Sequence, residues 1–179
     1  MDQIRKTLMK SGALLLFLGM LTGIYLAGAL TGKIPADGKM VLGSHLNALF
    51  GGLILFALAF SLPYLRYSDQ GLHRLGLSMI VANYGNWFIT GIKALLHVHG
   101  IDYTGHASND IIVGLLNVFV VLPAIGGTYF WFRGFQTPPN AEYSPADQQR
   151  EPAMPSASPR QRKPARAAKK KGRGRSASR

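Results

Sequence analysis

Residues 12–30 read GALLLFLGMLTGIYLAGAL, an apolar run that no charged residue interrupts. A hydrocarbon core about 30 Å thick needs about 20 such residues in a helix, so this run predicts a transmembrane helix. Because Arg5, Lys6 and Lys10 precede it and Ala27-Gly-Ala29 resembles a cleavage site, a signal peptide is the alternative interpretation. The apolar part is longer than a usual signal sequence, which favours a retained helix.

Three further apolar runs follow the first one along the chain. The last of them ends in an aromatic cluster that suits a headgroup interface, Tyr129 to Phe132. The pattern predicts an all-α integral membrane four-helix bundle with short loops in residues 1–135. Its spans lie at about 12–30, 45–65, 72–96 and 111–132.

Basic residues are placed unevenly between the two predicted faces of the bundle. One face has Lys33, Lys39 and Lys93, whereas the other has most of the remaining Lys and Arg: Arg5, Lys6, Lys10, Arg66, Arg74, Arg133 and those of the C-terminal tail. The positive-inside rule then predicts a multi-pass protein of the cell (inner) membrane with both termini cytoplasmic.

The C-terminal segment, residues 136–179, is rich in Pro, Ala, Ser, Gln and basic residues. This composition cannot bury enough apolar surface to offset the entropy of ordering, so we expect a disordered tail. More than half of the 20 Lys and Arg lie past residue 149, without aromatics that could stack on bases. Contact with anionic lipid headgroups is the favoured interpretation, and docking to a protein or nucleic acid is the alternative.

Several function classes find no support in the sequence. The absence of cysteine excludes disulfides, thiolate metal sites and cysteine nucleophiles. No Gly-x-Ser-x-Gly elbow, carboxylate pair or phosphate-binding loop indicates a hydrolase. The spans contain no acidic residue, which argues against an ion-coupled transporter.

Polar residues inside the predicted spans cluster in the outer half of the bundle. At 1.5 Å per residue, Gly51 and Asn86 lie about 20 Å above the turn near residue 66, and His45 about 30 Å. Polar groups at membrane depth usually face a partner, a cavity or a ligand. His45 is therefore a candidate metal ligand, or else an interfacial histidine with ordinary hydrogen bonds.

Small residues and amides accompany this histidine. Gly51 and Gly52 remove side-chain bulk, which would admit a planar cofactor or, in the commoner case, close helix packing. Asn83 and Asn117 would cross-link helices by hydrogen bonds. His97, His99 and His106 share a short loop but lack acidic or cysteine partners, so we expect no dedicated metal site there.

These residues resemble the styrene oxide isomerase and hydroxylaminobenzene mutase family of small membrane proteins. The similarity spans roughly residues 11–135. It rests on Ser44-His45-Leu46-Asn47-Ala48-Leu49-Phe50-Gly51-Gly52, Ala59-Phe60-Ser61-Leu62-Pro63, Gly76 and Gly85-Asn86.

The resemblance implies a trimer that holds haem b between its subunits, with His45 as the axial iron ligand. It also implies that Asn86 is a polar contact near the distal pocket and that ferric iron acts as a Lewis acid which isomerises an epoxide to an aldehyde. Thr90 would line the catalytic side, and Asn47, Gly51 and Gly52 the cofactor side.

Two positions depart from the family pattern. Gly51 stands where the isomerases have an asparagine, and Thr90 where they have a tyrosine. Because those side chains would orient the substrate, their loss argues against styrene oxide itself, and the alternative is a different small apolar substrate, such as an aryl hydroxylamine rearranged to an aminophenol. Asn47 and Tyr84 are the candidate replacement groups.

The leading hypothesis is thus a haem-b-dependent membrane isomerase or mutase. One alternative is a haem-binding membrane protein without catalysis. The other is a haem-free bundle that recruits partners through its basic tail.

Overall fold

The computed structural model describes residues 1–136, so nearly all of the predicted tail lies outside the described residues and its disorder stays a prediction. Within this part the chain is all-helical, and the predicted four-helix bundle is confirmed. The helices are α1 (Asp2–Leu30), α2 (Gly38–Ser61), α3 (Asp69–Leu96) and α4 (Ala107–Gln136). A 3₁₀ turn, Leu62–Tyr64, extends α2.

Three of these helices are long and apolar enough to cross a membrane: α1, α2 with its 3₁₀ turn, and α4. Helix α3 has 28 residues and is therefore as long as its neighbours. It is less apolar, as its sequence predicts, because it carries Asn83, Asn86 and Lys93. These lengths and compositions make the chain an integral membrane protein.

Side-chain caps and backbone turns define where the helices begin and end. Asp37 begins α2, where its Oδ1 accepts hydrogen bonds from the backbone N–H groups of Lys39 and Met40. Ser68 caps α3 in the same way through the N–H of Gly71. Helix α3 ends at Leu96, and the C-cap residue His97 takes the left-handed conformation with φ of 52°.

Neighbours in sequence are neighbours in space: α1 packs on α2, α2 on α3, and α3 on α4. We call the end with the α2–α3 connection, residues 65–68, the turn end, and the end with connections 31–37 and 97–106 the loop end. The apolar core lies mainly toward the turn end, where its fully buried side chains include Leu8, Leu55, Leu58, Leu62, Leu65 and Leu72.

Helix α4 contains a π-helical segment, Asn117–Val121, between α-helical parts Ala107–Leu116 and Leu122–Gln136. The backbone N–H of Leu122 donates to the carbonyl of Asn117 across this wider turn. Directly after Leu122, the carbonyl of Pro123 accepts a hydrogen bond of 2.9 Å from the hydroxyl of Ser78 in α3. The predicted span 111–132 is therefore one helix with a local change of register.

Candidate functional site

The imidazole of His45 is held by the backbone of α1. Its Nδ1 lies 2.7 Å from the carbonyl oxygen of Gly19. Because a carbonyl can only accept a hydrogen bond, Nδ1 carries the proton, and in the neutral ring Nε2 keeps its lone pair. Metal-binding histidines in proteins typically have this arrangement, in which one ring nitrogen is anchored and the other is a ligand.

Two glycines of α1 allow α2 to approach closely, and one of them, Gly23, leaves room for this ring. A Cβ atom at Gly23 would lie 3.2 Å from Cε1 of His45, and one at Gly19 would lie 2.9 Å from Cδ2 of Leu49. Sequence reasoning missed both glycines. Their spacing of four residues on one face of the first apolar run was the available signal, because small residues at that spacing mark close helix approach.

A second polar cluster joins α2 to α3. Nδ2 of Asn47 donates to Oδ1 of Asn86 at 3.0 Å and to Oγ1 of Thr90 at 3.3 Å. The hydroxyl of Thr90 in turn donates to Oδ1 of Asn86 at 3.4 Å. The structure thus brings together three of the predicted site residues, which we call the amide cluster.

The amide cluster orients Asn86. Its Oδ1 accepts both hydrogen bonds, so its Nδ2 is directed away from the other two members and has no part in the cluster. Asn86 is half-buried, whereas Thr90 is only 8% exposed. A fixed amide N–H donor next to a small hydroxyl can bind an oxygen atom of a ligand.

A cavity of about 350 Å³ opens beside Thr90 at the loop end. Met40 and Gly43 lie beside Thr90 in its wall, and two of its charged members, Asp37 and Lys93, already have partners within the chain. Asp37 caps α2, and Nζ of Lys93 donates to the carbonyl of His99 at 3.0 Å. This volume is at the small end of the range for ligand pockets.

His45 and the amide cluster lie on different sides of α2. Residues two apart in a helix point about 200° apart. His45 accordingly faces α1, through Gly19, whereas Asn47 faces α3, through Asn86 and Thr90. One chain therefore does not bring its predicted iron ligand and its predicted catalytic residues to a common pocket.

Gly51 and Gly52 are both buried, and neighbouring groups fill the space next to them. A Cβ at Gly51 would lie 2.9 Å from Oδ1 of Asn83, and one at Gly52 would lie 2.9 Å from the carbonyl oxygen of Gly12. The pair thus serves close helix packing within the chain, and its assignment to cofactor binding stays a prediction.

Other polar residues have roles that differ from those expected. Asn83 donates to the carbonyl of Met79 in its own helix, and the hydroxyl of Tyr84 donates to the carbonyl of Ser11 in α1. Neither residue hydrogen-bonds to the amide cluster. Asn117 is exposed on α4 and forms no helix cross-link among the described residues.

Three residues to which sequence reasoning assigned no role tie α1, α2 and α3 together. Ser44 donates to the carbonyl of Trp87 at 2.8 Å, and Nε1 of Trp87 donates to Oγ1 of Thr22 at 2.9 Å. Ser44 directly precedes His45, Trp87 directly follows Asn86, and Thr22 directly precedes Gly23. Their hydrogen bonds fix the helices that carry the candidate site.

The loop histidines do not gather into a metal site in the described part of the chain. Residues 1–136 hold no group of three or more His, Cys, Asp or Glu arranged to bind a metal ion. His97 is the C-cap residue of α3 and His106 the N-cap residue of α4, so both occupy helix boundaries.

The comparisons with known proteins agree with the resemblance seen in the sequence. The family model described as styrene oxide isomerase matches residues 4–135, which include α2, α3, nearly all of α1 and α4, and every candidate site residue. No curated protein matches the chain. Because the family model covers well over half of the chain, the protein belongs to the styrene oxide isomerase family.

Proposed function

We propose that this isomerase-family membrane protein binds haem b and uses it to rearrange a small hydrophobic substrate. The reaction would convert an epoxide to an aldehyde or an aryl hydroxylamine to an aminophenol. The observation that carries this proposal is the hydrogen bond between Nδ1 of His45 and the carbonyl of Gly19, because it leaves Nε2 available as a ligand.

The residues around His45 fit a porphyrin. Haem supplies four ring nitrogens of its own, so a single histidine suffices where no three-ligand group exists among residues 1–136. Apolar side chains next to the histidine and its two glycines are exposed: Met20 by 63%, Ile24 by 71% and Leu42 by 43%. They offer a surface on which an apolar macrocycle can lie.

When haem is bound, its ferric iron supplies a Lewis acid that polarises a substrate oxygen. The chain would contribute orientation and exclusion of water. Asn86 would donate a hydrogen bond to the substrate oxygen through Nδ2, which makes it the proposed catalytic residue. Asn47 and Thr90 hold that amide and would act as positioning residues.

The separation of His45 from the amide cluster supports a homo-oligomeric site. Within one chain these groups lie on opposite sides of α2, so a shared pocket needs His45 of one subunit and the amide cluster of another. We infer a trimer from the family resemblance, with one such pocket at each subunit boundary.

The first experiment is an absorption spectrum of the protein purified in mild detergent from haem-sufficient cells. The wild-type protein should show a Soret band, and His45→Ala should lose it. The exposed His73 of α3 is the matched control, and His73→Ala should keep the band. A colourless wild-type protein that takes up no added haem would refute the proposal.

Turnover separates an isomerase from a passive haem protein. The ferric protein is incubated with panels of aryl epoxides and aryl hydroxylamines, and the products are identified by chromatography. Asn86→Leu should lose product formation and keep the Soret band. Absence of product from every compound would favour the non-catalytic haem-binding alternative.

A further inference from the structure

The groove between α3 and α4 at the turn end is separate from the site described above. It encloses about 430 Å³, and its wall includes Gly71, Arg74, Leu75, Ser78, Gly126 and Phe130. A Cβ at Gly126 would meet nothing within 4 Å, whereas one at Gly127 would strike Sδ of Met79 at 2.6 Å. Gly127 therefore allows α3 and α4 to pack closely, whereas Gly126 leaves the groove open.

Most polar groups of the wall are already satisfied by α4. Ser78 donates to the carbonyl of Pro123, and Tyr67 donates to the carbonyl of Phe130 at 2.8 Å. Burial raises the pKa of Tyr67 above its usual value, so the phenol remains a neutral donor. The inner part of the groove is therefore apolar.

Arg74 is the exception in this wall. Its side chain is exposed, and it forms no ion pair among residues 1–136. It lies about 8 Å along α3 from the start of that helix at Asp69. Asp69, the one acidic residue of α3, binds the N-terminal amine at 3.3 Å, and residues 111–136 have no acidic residue.

We propose that this groove binds one anionic phospholipid, with the phosphate on the guanidinium of Arg74 and part of an acyl chain beside Gly126. Guanidinium groups match phosphate oxygens with paired hydrogen bonds. The groove has a charged donor close to the helix end and an apolar wall after it. A lipid has the same order, with its headgroup first and its acyl chain after it. Arg66 and Arg133, at the same end, add positive potential.

The test is native mass spectrometry of the full chain, delipidated in detergent and titrated with phosphatidylglycerol or phosphatidylcholine. The wild-type protein should retain one phosphatidylglycerol per chain, in preference to phosphatidylcholine. Arg74→Gln should weaken this binding about tenfold, because a charge-assisted pair is lost. Gly126→Leu should also weaken it, by filling the groove from a position with free space.

Lys6→Gln is the matched control, because it removes one exposed charge at the turn end of α1. This variant should bind lipid like the wild type, and all variants should keep the wild-type melting temperature without lipid. Equal retention by Arg74→Gln and wild type would overturn the proposal. Equal binding of both lipids or full competition by inorganic phosphate would also overturn it. Cross-linking that showed a second copy of the chain in the groove would do the same.

Discussion

At the scale of single residues, the position of His45 depends on two glycines of α1. The imidazole occupies the space beside Gly23, whereas the absence of a Cβ at Gly19 admits Leu49 and Ala48 of α2. The ring could be recognised as a candidate ligand from its position in an apolar run. Its hydrogen bond to Gly19 could not, because it depends on the register between two helices that are distant in sequence.

Gly23→Ala tests this space. The new methyl group would lie 3.2 Å from Cε1 and 3.5 Å from Nδ1 of His45, so the ring must move by a few tenths of an ångström. We expect haem affinity to fall about tenfold, as when a metal ligand loses its supporting hydrogen bond. Haem titration of the apoprotein measures the change. Gly114→Ala, which meets open space, should have wild-type affinity.

Position 51 offers a second test, because the amide of Asn83 occupies the space beside it. Gly51→Asn alone should destabilise the fold by about 1–3 kcal/mol through overpacking against Asn83 and Leu15. The double variant Gly51→Asn/Asn83→Ala should recover part of that loss in thermal unfolding. An equally low melting temperature for both variants would show that Asn83 is not the obstacle.

At the scale of secondary-structure elements, the four apolar runs predict four helices because hydrophobic length is a local property of the sequence. The caps at Asp37 and Ser68 are equally local. The π-helical segment at Asn117–Val121 is not a local property of the sequence. Pro123 permits either an α or a π turn before it, and the choice depends on packing against α3.

The contact of α1 with α2 determines where the Gly19 carbonyl lies. A Cβ at Gly52 would come within 2.6 Å of Cγ of Leu16 and 2.9 Å of the carbonyl oxygen of Gly12. The carbonyl of Gly12 belongs to the backbone and cannot move without the rest of α1. Gly52→Ala should therefore separate the helices and lower the free energy of unfolding by about 1–3 kcal/mol. It should also weaken haem binding, although position 52 lies two turns from His45.

Thermal unfolding in detergent and haem titration check this prediction together. Gly114→Ala serves again as the substitution without contacts. If Gly52→Ala lowered the melting temperature but left haem affinity unchanged, the histidine would not depend on this packing.

At the scale of the whole molecule, the positive-inside pattern predicts cytoplasmic termini, and the chain makes this easy to test because it has no cysteine. Gln70→Cys, near the turn end, and Tyr103→Cys, at the loop end, introduce single exposed thiols. In intact cells a membrane-impermeant maleimide should label the cysteine at 103 and not the one at 70. The reverse pattern would invert the assigned orientation.

Assembly is the property that the sequence of one chain reveals least, since subunit contacts leave no local pattern. The opposite placement of His45 and the amide cluster on α2 nevertheless makes a prediction. Co-expressed His45→Ala and Asn86→Leu chains should regain part of the isomerase activity that each variant lacks alone. Such mixed oligomers contain boundaries at which both required residues are intact.

Activity assays on co-purified, differently tagged chains measure this recovery. The control is a mixture of two differently tagged chains that both carry His45→Ala, and this mixture should stay inactive. An inactive mixture of confirmed hetero-oligomers would place the whole site within one subunit.

The acceptor that orients His45 belongs to the main chain, and this has an evolutionary consequence. No change of side chain at position 19 can delete the Gly19 carbonyl; a substitution can only shift it by adding bulk between α1 and α2. Under the proposed function, genetic drift could thus alter which molecule is converted, through positions such as 86 and 90, while the tautomer of His45 is inherited unchanged.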